Sequence, residues 1–183
     1  MKLILGLTGE KAGGKGTAAA YLKKRYGAST YRFSDSLTNT LNLFGITVSR
    51  PNQIKLFEIL SNAFGTDVLA RAIRGLADRD TNELVVVDGV RRMPDIQYLK
   101  ELPGFHLIYI TALQPLRYER SVERNEKTDE SGLTFEQFAH EEATASTEVT
   151  IPGVAAHAEI KIENNDTQEE LYRKIEKLIS KLN

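Results

Sequence analysis

Gly9-Glu10-Lys11-Ala12-Gly13-Gly14-Lys15-Gly16-Thr17 decides the reading of this chain. It fits the spacing Gly-x4-Gly-Lys, with Gly16-Thr17 where a serine or threonine would ordinarily follow the lysine directly. Ahead of it, Leu3-Ile4-Leu5-Gly6-Leu7 is a continuous apolar run, the pattern of a parallel strand buried on both faces. Behind it, Ala18, Tyr21, Leu22 and Tyr26 recur at helical spacing. Strand, glycine loop and helix in that order is the setting in which the spacing has chemical meaning. Glycines let the chain curl so that successive N–H groups converge on phosphate oxygens, and a helix starting near Lys15 directs its positive end to the same point. Gly9, Ala12, Gly13, Gly14 and Gly16 would supply that main chain, Lys15 a full charge for the β- and γ-phosphates, and Thr17 a hydroxyl for a phosphate or Mg2+. The bland alternative is a glycine turn that holds nothing. It leaves the lysine without a packing purpose.

The rest of the composition sets bounds. A length of 183 residues suits one domain, and 41% apolar with 27% charged residues suits an ordinary globular core. A formal net charge of −1 gives no electrostatic argument for nucleic acid or a membrane surface as partner. The absence of cysteine excludes disulfides and thiolate metal sites and agrees with a reducing compartment. His106, His140 and His157 lack metal-ligand spacing. The apolar stretch at the start is short and runs straight into the loop, unlike a secretory signal, and no apolar run reaches bilayer length. A cytoplasmic location is the expectation.

Further along, Thr30-Tyr31-Arg32-Phe33 reads as a second strand, and Ser34-Asp35-Ser36 suits a helix cap. Leu37, Leu41 and Phe44 predict a short amphipathic helix stopped by Gly45. Arg50-Pro51 opens another, with Leu56, Ile59, Leu60 and Phe64 as its apolar stripe. Val68, Leu69, Ala72, Ile73 and Leu76 mark a third. Residues 36–80 are therefore expected to be a helical insertion between strands two and three, longer than a plain crossover requires.

Leu84-Val85-Val86-Val87-Asp88 is the clearest strand, ending in an acid. A helix over 94–102 follows, then a strand from Phe105 to Ile110 and a helix opened by Pro115. Arg117, Arg120 and Arg124 share one face of that helix, ahead of a polar loop over 125–132. Thr134 and Gln137 form a capping-box pattern for a helix that buries Phe135, Phe138, Ala139 and Ala143. Pro152-Gly153 marks a turn, 158–162 alternates as a last strand, and Thr167 with Glu170 caps a final amphipathic helix. Strands separated by helices imply an α/β three-layer sandwich around a parallel sheet, with ligands at the carboxyl ends of its strands.

The glycine loop, Asp35 and Asp88 all fall at such ends. Asp88 suits Mg2+ beside the phosphates, or else caps the next turn. Arg91 and Arg92 are candidates for binding the acceptor, with Arg50 and the weaker Arg71 and Arg74 in the insertion. Asp35 is either a plain helix cap or a base. A hydroxyl acceptor benefits from a base, whereas a phosphate acceptor is already ionised. Arg120 and Arg124, on a lid region over 117–145, can neutralise the charge that phosphoryl transfer spreads over the moving group. A solvated face paired with neighbouring glutamates is the alternative.

In these residues the chain resembles the P-loop small-molecule kinases. The Gly-x4-Gly-Lys-Gly-Thr form is similar to that of adenylate kinases and of a phage deoxynucleoside monophosphate kinase. Asp88-Gly89-Val90-Arg91 resembles a motif of archaeal and bacterial dephospho-CoA kinase-like proteins. The resemblance implies a P-loop fold with a five-stranded sheet of order 2-3-1-4-5, ATP on the loop, Mg2+ served by Asp88 and Thr17, and an acceptor under the insertion. It also implies that Asp35 corresponds to the acid near the acceptor of dephospho-CoA kinases. The full substrate signature of neither group is present. The expected function is transfer of the γ-phosphoryl of Mg·ATP to a nucleoside or deoxynucleoside monophosphate. The alternatives are a 3'-hydroxyl acceptor, as in dephospho-CoA kinase, a switch or ATPase without a second substrate, and an ATP-binding protein without catalysis.

Overall fold

The computed structural model describes residues 2–123, 134–145 and 148–182, together with the main chain of Arg124. Five strands make one parallel sheet: β1 (Leu3–Thr8), β2 (Ser29–Arg32), β3 (Leu84–Asp88), β4 (Phe105–Thr111) and β5 (Ile160–Glu163). Their order is β2-β3-β1-β4-β5, as the resemblance implied. Every residue of β1 and β3 is buried, which is why both read as uninterrupted apolar runs.

Alternation along the strands divides the core into two halves. Leu3, Leu5, Leu7, Val86, Ile108 and Ile110 pack against α1 (Lys15–Tyr26) and the final helix. Ile4, Val85, Val87, Phe105 and Leu107 face the opposite way, onto residues of the helices that flank β3. The arrangement is the expected three-layer sandwich.

Between β2 and β3 stand α2 (Phe33–Leu43), α3 (Arg50–Phe64) and α4 (Val68–Arg79). They depart from the sequence reading in three ways. β2 stops at Arg32, and Phe33 opens α2, so Ser34, Asp35 and Ser36 lie inside the helix rather than capping it. The capping position is the extended Arg32, with no side-chain cap. Phe44 is 69% exposed although it continues the period of the buried Leu37 and Leu41. Most notably, α3 buries none of its residues. Ile59 and Phe64 are more than half exposed, so its apolar periodicity marks a helix without marking a core face. α3 does begin as read, with Ser49 accepting the N–H of Asn52 and Pro51 in the first turn. α4 packs through Leu69, Ala70, Ile73 and Ala77.

After β3 come α5 (Met93–Lys100), then β4, then α6 (Gln114–Arg124) and α7 (Phe135–Thr144). Thr134 and Gln137 close the capping box as expected. Of the residues assigned to α7's inner face, Phe138 is fully buried while Phe135 is exposed. The turn expected at Pro152-Gly153 is a short helix, α8 (Ile151–Ala155), because Pro152 occupies a helix's first turn, where its missing N–H costs nothing. α9 (Gln168–Leu182) starts on Thr167, whose hydroxyl accepts the Glu170 N–H, and buries Leu171, Ile175, Leu178 and Ile179. No helix among the described residues is long and apolar enough to cross a membrane.

Candidate functional site

The register of the sheet sets the site. Arg32 lies beside Asp88, and Asp88 beside Leu7, so the carboxyl ends of β2, β3 and β1 form one row directly beneath the glycine loop. The loop leaves β1 and turns over the end of β4. Gly9 has φ 142° and sits so close to the Ile110 carbonyl that a side chain there would overlap it. A methyl on Gly13 would lie 2.9 Å from the same oxygen, and one on Gly14 would overlap Asn164. Three of the loop's glycines are thus required by close approach. Ala12 stands at φ 58°, the one described non-glycine residue in the left-handed region.

Gly14 is the N-cap of α1 and has no side chain to offer, and no acid stands in the helix's first turn. The first N–H groups of α1 consequently face outward toward whatever anion approaches.

Lys15 is buried, and its Nζ donates to Gly9 O at 2.6 Å and Glu10 O at 2.8 Å, folded back over its own loop. Burial, then the neighbouring Arg91 guanidinium, bring its ammonium down to about 8, against the pull of Asp88, Glu148 and Glu10. Glu10 braces the loop from below, accepting from Tyr109 Oη at 2.5 Å and Thr111 Oγ1 at 2.7 Å. Burial pushes that carboxyl up, but the two hydrogen bonds outweigh it and the net displacement is downward.

The sequence-derived candidates divide by position. Asp88 is at the rim as expected, its carboxylate held by Arg32 Nε at 3.1 Å. Arg91 stands near Lys15 and pairs with Glu148 at 2.7 Å. Arg92 turns away. It donates to Thr66 O and Asp95, and lies 5.0 Å from the Phe57 ring centre, tying the start of α5 to α3 and to the connection that follows α3. Asp95 accepts the N–H groups of Arg91 and Arg92 with one oxygen, which fixes the turn after Asp88. Asp35 is exposed in the first turn of α2, and Arg50 is exposed at the first residue of α3. Arg71 and Arg74 pair with Asp67 and Asp78.

The arginines of α6 do not form a solvated row. Arg117 is buried and clamps three segments, donating to Ala112 O, Lys11 O and the carboxylate of Glu142. Arg120 donates to Asn164 O at 2.8 Å and Asp166 O at 3.3 Å. The side chain of Arg124 and the loop 125–132 lie outside the described residues.

Three residues of the site were not singled out from the sequence as functional. Arg32 sits against Asp88, and a methyl on Gly16 would be 3.7 Å from its Nη2. Asn164, after β5, donates to Gly13 O at 3.0 Å. Glu142 holds Arg117. Arg32 and Asn164 each had one signal, a place at the carboxyl end of a strand. Beside the loop, a cavity of about 430 Å3 opens between Glu10, Gln114, Ala139, Glu142, Glu148 and Pro152. Such a volume accommodates a small molecule.

These features fit a nucleotide's phosphates: a curled backbone with outward N–H groups, an ammonium that donates to two loop carbonyls, and a carboxylate at the adjoining strand end. They fit a hard divalent cation more sparingly. Asp88 and the Thr17 hydroxyl are suitable oxygen donors, but no cluster of three acidic or histidine side chains occurs among the described residues. Most of an ion's ligands would be phosphates and water, as Mg2+ prefers.

No family model matches the chain. It is similar along its whole length to proteins of the UPF0200 group. It shares 27% identity over 186 residues with one from Saccharolobus solfataricus, covering 100% of this chain and 94% of that protein. It shares 24% over 181 residues with one from Hyperthermus butylicus, covering 99% and 95%. Among solved structures, TT1252 from Thermus thermophilus superposes with TM-score 0.61 at 20% identity, covering 100% of this chain and 98% of that one. A shikimate kinase from Acinetobacter baumannii gives TM-score 0.57 at 15% identity, with 99% and 94% covered. A gluconokinase from Sinorhizobium meliloti gives 0.57 at 13%, with 95% and 89% covered. The sheet order, the loop and these likenesses agree that the chain has the fold of the P-loop small-molecule kinases.

Proposed function

We propose that the protein is an ATP-dependent phosphotransferase acting on a nucleotide-type small molecule, with a nucleoside or deoxynucleoside monophosphate as the preferred acceptor. The observation that carries this reading is the position of Lys15. It stands at the positive end of α1, inside a loop closed down by three glycines and one strand away from the Asp88 carboxylate. The names of the fold neighbours, a shikimate kinase and a gluconokinase, support a small-molecule kinase. The choice of a nucleotide acceptor rests on the motif resemblance.

Lys15 and the N–H groups of the loop and of α1 would bind the triphosphate, and Asp88 with Thr17 would hold Mg2+. The ion, when bound, neutralises charge on the phosphates. The chain's own part is positioning and electrostatics. Arg91, released from Glu148, would bind the acceptor's anionic group. Arg120 would neutralise the transferred phosphoryl, exchanging its present carbonyl partners for it, and Arg124 stays a candidate for the same role. α2–α4, with the apolar side chains of Leu43, Phe44 and Phe64 uncovered, would close over the acceptor.

A hydroxyl acceptor is the second reading, favoured by Asp35. In the first turn of α2 it is exposed and does not cap the helix, which leaves a carboxylate free to accept a proton. Coupled measurement of ADP release against nucleoside monophosphates, deoxynucleotides and dephospho-CoA tests the proposal. Acceptor-dependent release with a monophosphate supports it, and release with dephospho-CoA alone supports the second reading. Release that needs no acceptor points to an ATPase and refutes both. Asp35→Asn then separates the acceptor chemistries, since turnover falls steeply only where a hydroxyl must lose its proton.

A further inference from the structure

Asp88 has most of its surface removed from water, with its side chain 11% exposed, whereas the side chain of its partner Arg32 is 55% exposed. The two ends of this ion pair therefore have different needs. A carboxylate out of water requires a cation beside it. A guanidinium half in water is solvated as it leaves, so the pair can open from its arginine end without stranding a buried cation. A cation bound by Asp88 would have to share the carboxylate that Arg32 now holds at 3.1 Å. Arg32 is in register with Asp88 across β2 and β3, and its Nη2 lies over Gly16. Gly16 occupies the position directly after the loop lysine, where an added methyl would meet the guanidinium at ordinary contact distance, 3.7 Å.

We propose that Arg32 is a built-in counter-ion that occupies the divalent-cation position on Asp88 and must be exchanged for the metal when the metal–nucleotide complex loads. The inference rests on the kinase reading above and deepens it. Two consequences follow. The free protein holds divalent cations poorly, so metal arrives with the nucleotide rather than before it. The displaced guanidinium, on the rim where β2 runs into α2, becomes available to an anionic acceptor only after the donor is in place. Loading order is thereby coupled to acceptor binding through a single side chain.

The test is Mn2+ binding to the full chain without nucleotide, followed by electron paramagnetic resonance. Weak binding is expected for the natural sequence, and a gain of about tenfold or more for Arg32→Gln, which removes the repulsion between a guanidinium and a divalent ion a few ångströms apart. Adding Asp88→Asn to Arg32→Gln should erase the gain. Equal Mn2+ affinity with and without Arg32→Gln overturns the proposal, as does a gain that survives Asp88→Asn.

If Arg32→Gln melts early, the unaltered protein still decides. The Arg32 Nε–H resonance should lose its hydrogen-bonded position on saturation with Mg2+ and a non-hydrolysable ATP analogue, and an unmoved resonance refutes the exchange. ATP binding in EDTA, compared with Lys15→Met, reports separately on the kinase reading. ATP binding without the Mn2+ effect sinks only the counter-ion. The Mn2+ effect without ATP binding sinks the kinase and leaves the ion pair's competition standing.

Discussion

Lys15 should make nucleotide affinity fall with pH in a window set by its burial. In the free protein its ammonium is brought down to about 8 from the ordinary 10.5. A bound triphosphate surrounds the same ammonium with negative oxygens and moves it back up. The complex therefore holds the lysine proton where the free protein has lost it, and binding takes up a proton above pH 8. Affinity should be flat up to about pH 8 and then decline roughly tenfold per pH unit toward pH 10. At pH 8 uptake should be about half a proton per nucleotide.

Stability of the free protein runs the opposite way. Because the folded value is depressed, the unfolded chain binds more protons between about 8 and 10.5, and this residue's contribution to stability rises across that window. The upper limit is roughly 3 kcal/mol. The carbonyls of Gly9 and Glu10, at 2.6 and 2.8 Å, favour the charged form and reduce it. Calorimetric titrations in buffers of different ionisation enthalpy measure the proton uptake. Urea unfolding of the natural sequence against Lys15→Met, from pH 7 to 10, isolates the stability change from that of the other lysines and tyrosines. The reasoning fails if affinity is level between pH 7.5 and 9.5 with no proton taken up.

Gly9→Ala should destabilise the protein by about 2 kcal/mol or more and abolish ATP binding, since its methyl would overlap the Ile110 carbonyl at a φ of 142°; urea unfolding and calorimetry check both. Arg117→Met leaves the Glu142 carboxylate, 13% exposed, without its guanidinium and should cost about 3–5 kcal/mol. The double variant Arg117→Met, Glu142→Met should regain most of that in the same unfolding assay. Asn164→Ala removes the amide that holds Gly13 O and should cost about 1–2 kcal/mol. It should weaken ATP binding in calorimetry while leaving the acceptor's KM unchanged, because the side-chain amide bonds the loop and the contact with Arg120 is made by the main-chain carbonyl, which the substitution keeps.

The parts legible in the sequence are those whose cause is local. A four-residue apolar run cannot be other than buried, and β3 came out as read. Glycines that must curl around an anion announce themselves within nine residues. What escaped depends on partners far along the chain. Arg117 reads as one more solvated helical arginine until Glu142, 25 residues on, is brought against it. α3 has the period of an amphipathic helix and the side chains to match, yet period says only that a face is apolar, and the fold decides whether anything covers it.

Arg32 is the sharpest case. At the end of a strand it is an unremarkable cation, and its meaning comes wholly from the pairing that sets it beside Asp88, 56 residues away. The sequence announces the acid because acids are rare at the end of a buried strand, and conceals the base because arginines are common at the start of solvent. A site of opposed charges is therefore read first from its more buried member. Once Asp88 is found, the productive question is which cation the sheet register delivers to it, and parallel pairing of β2 with β3 answers Arg32 before any side chain is placed.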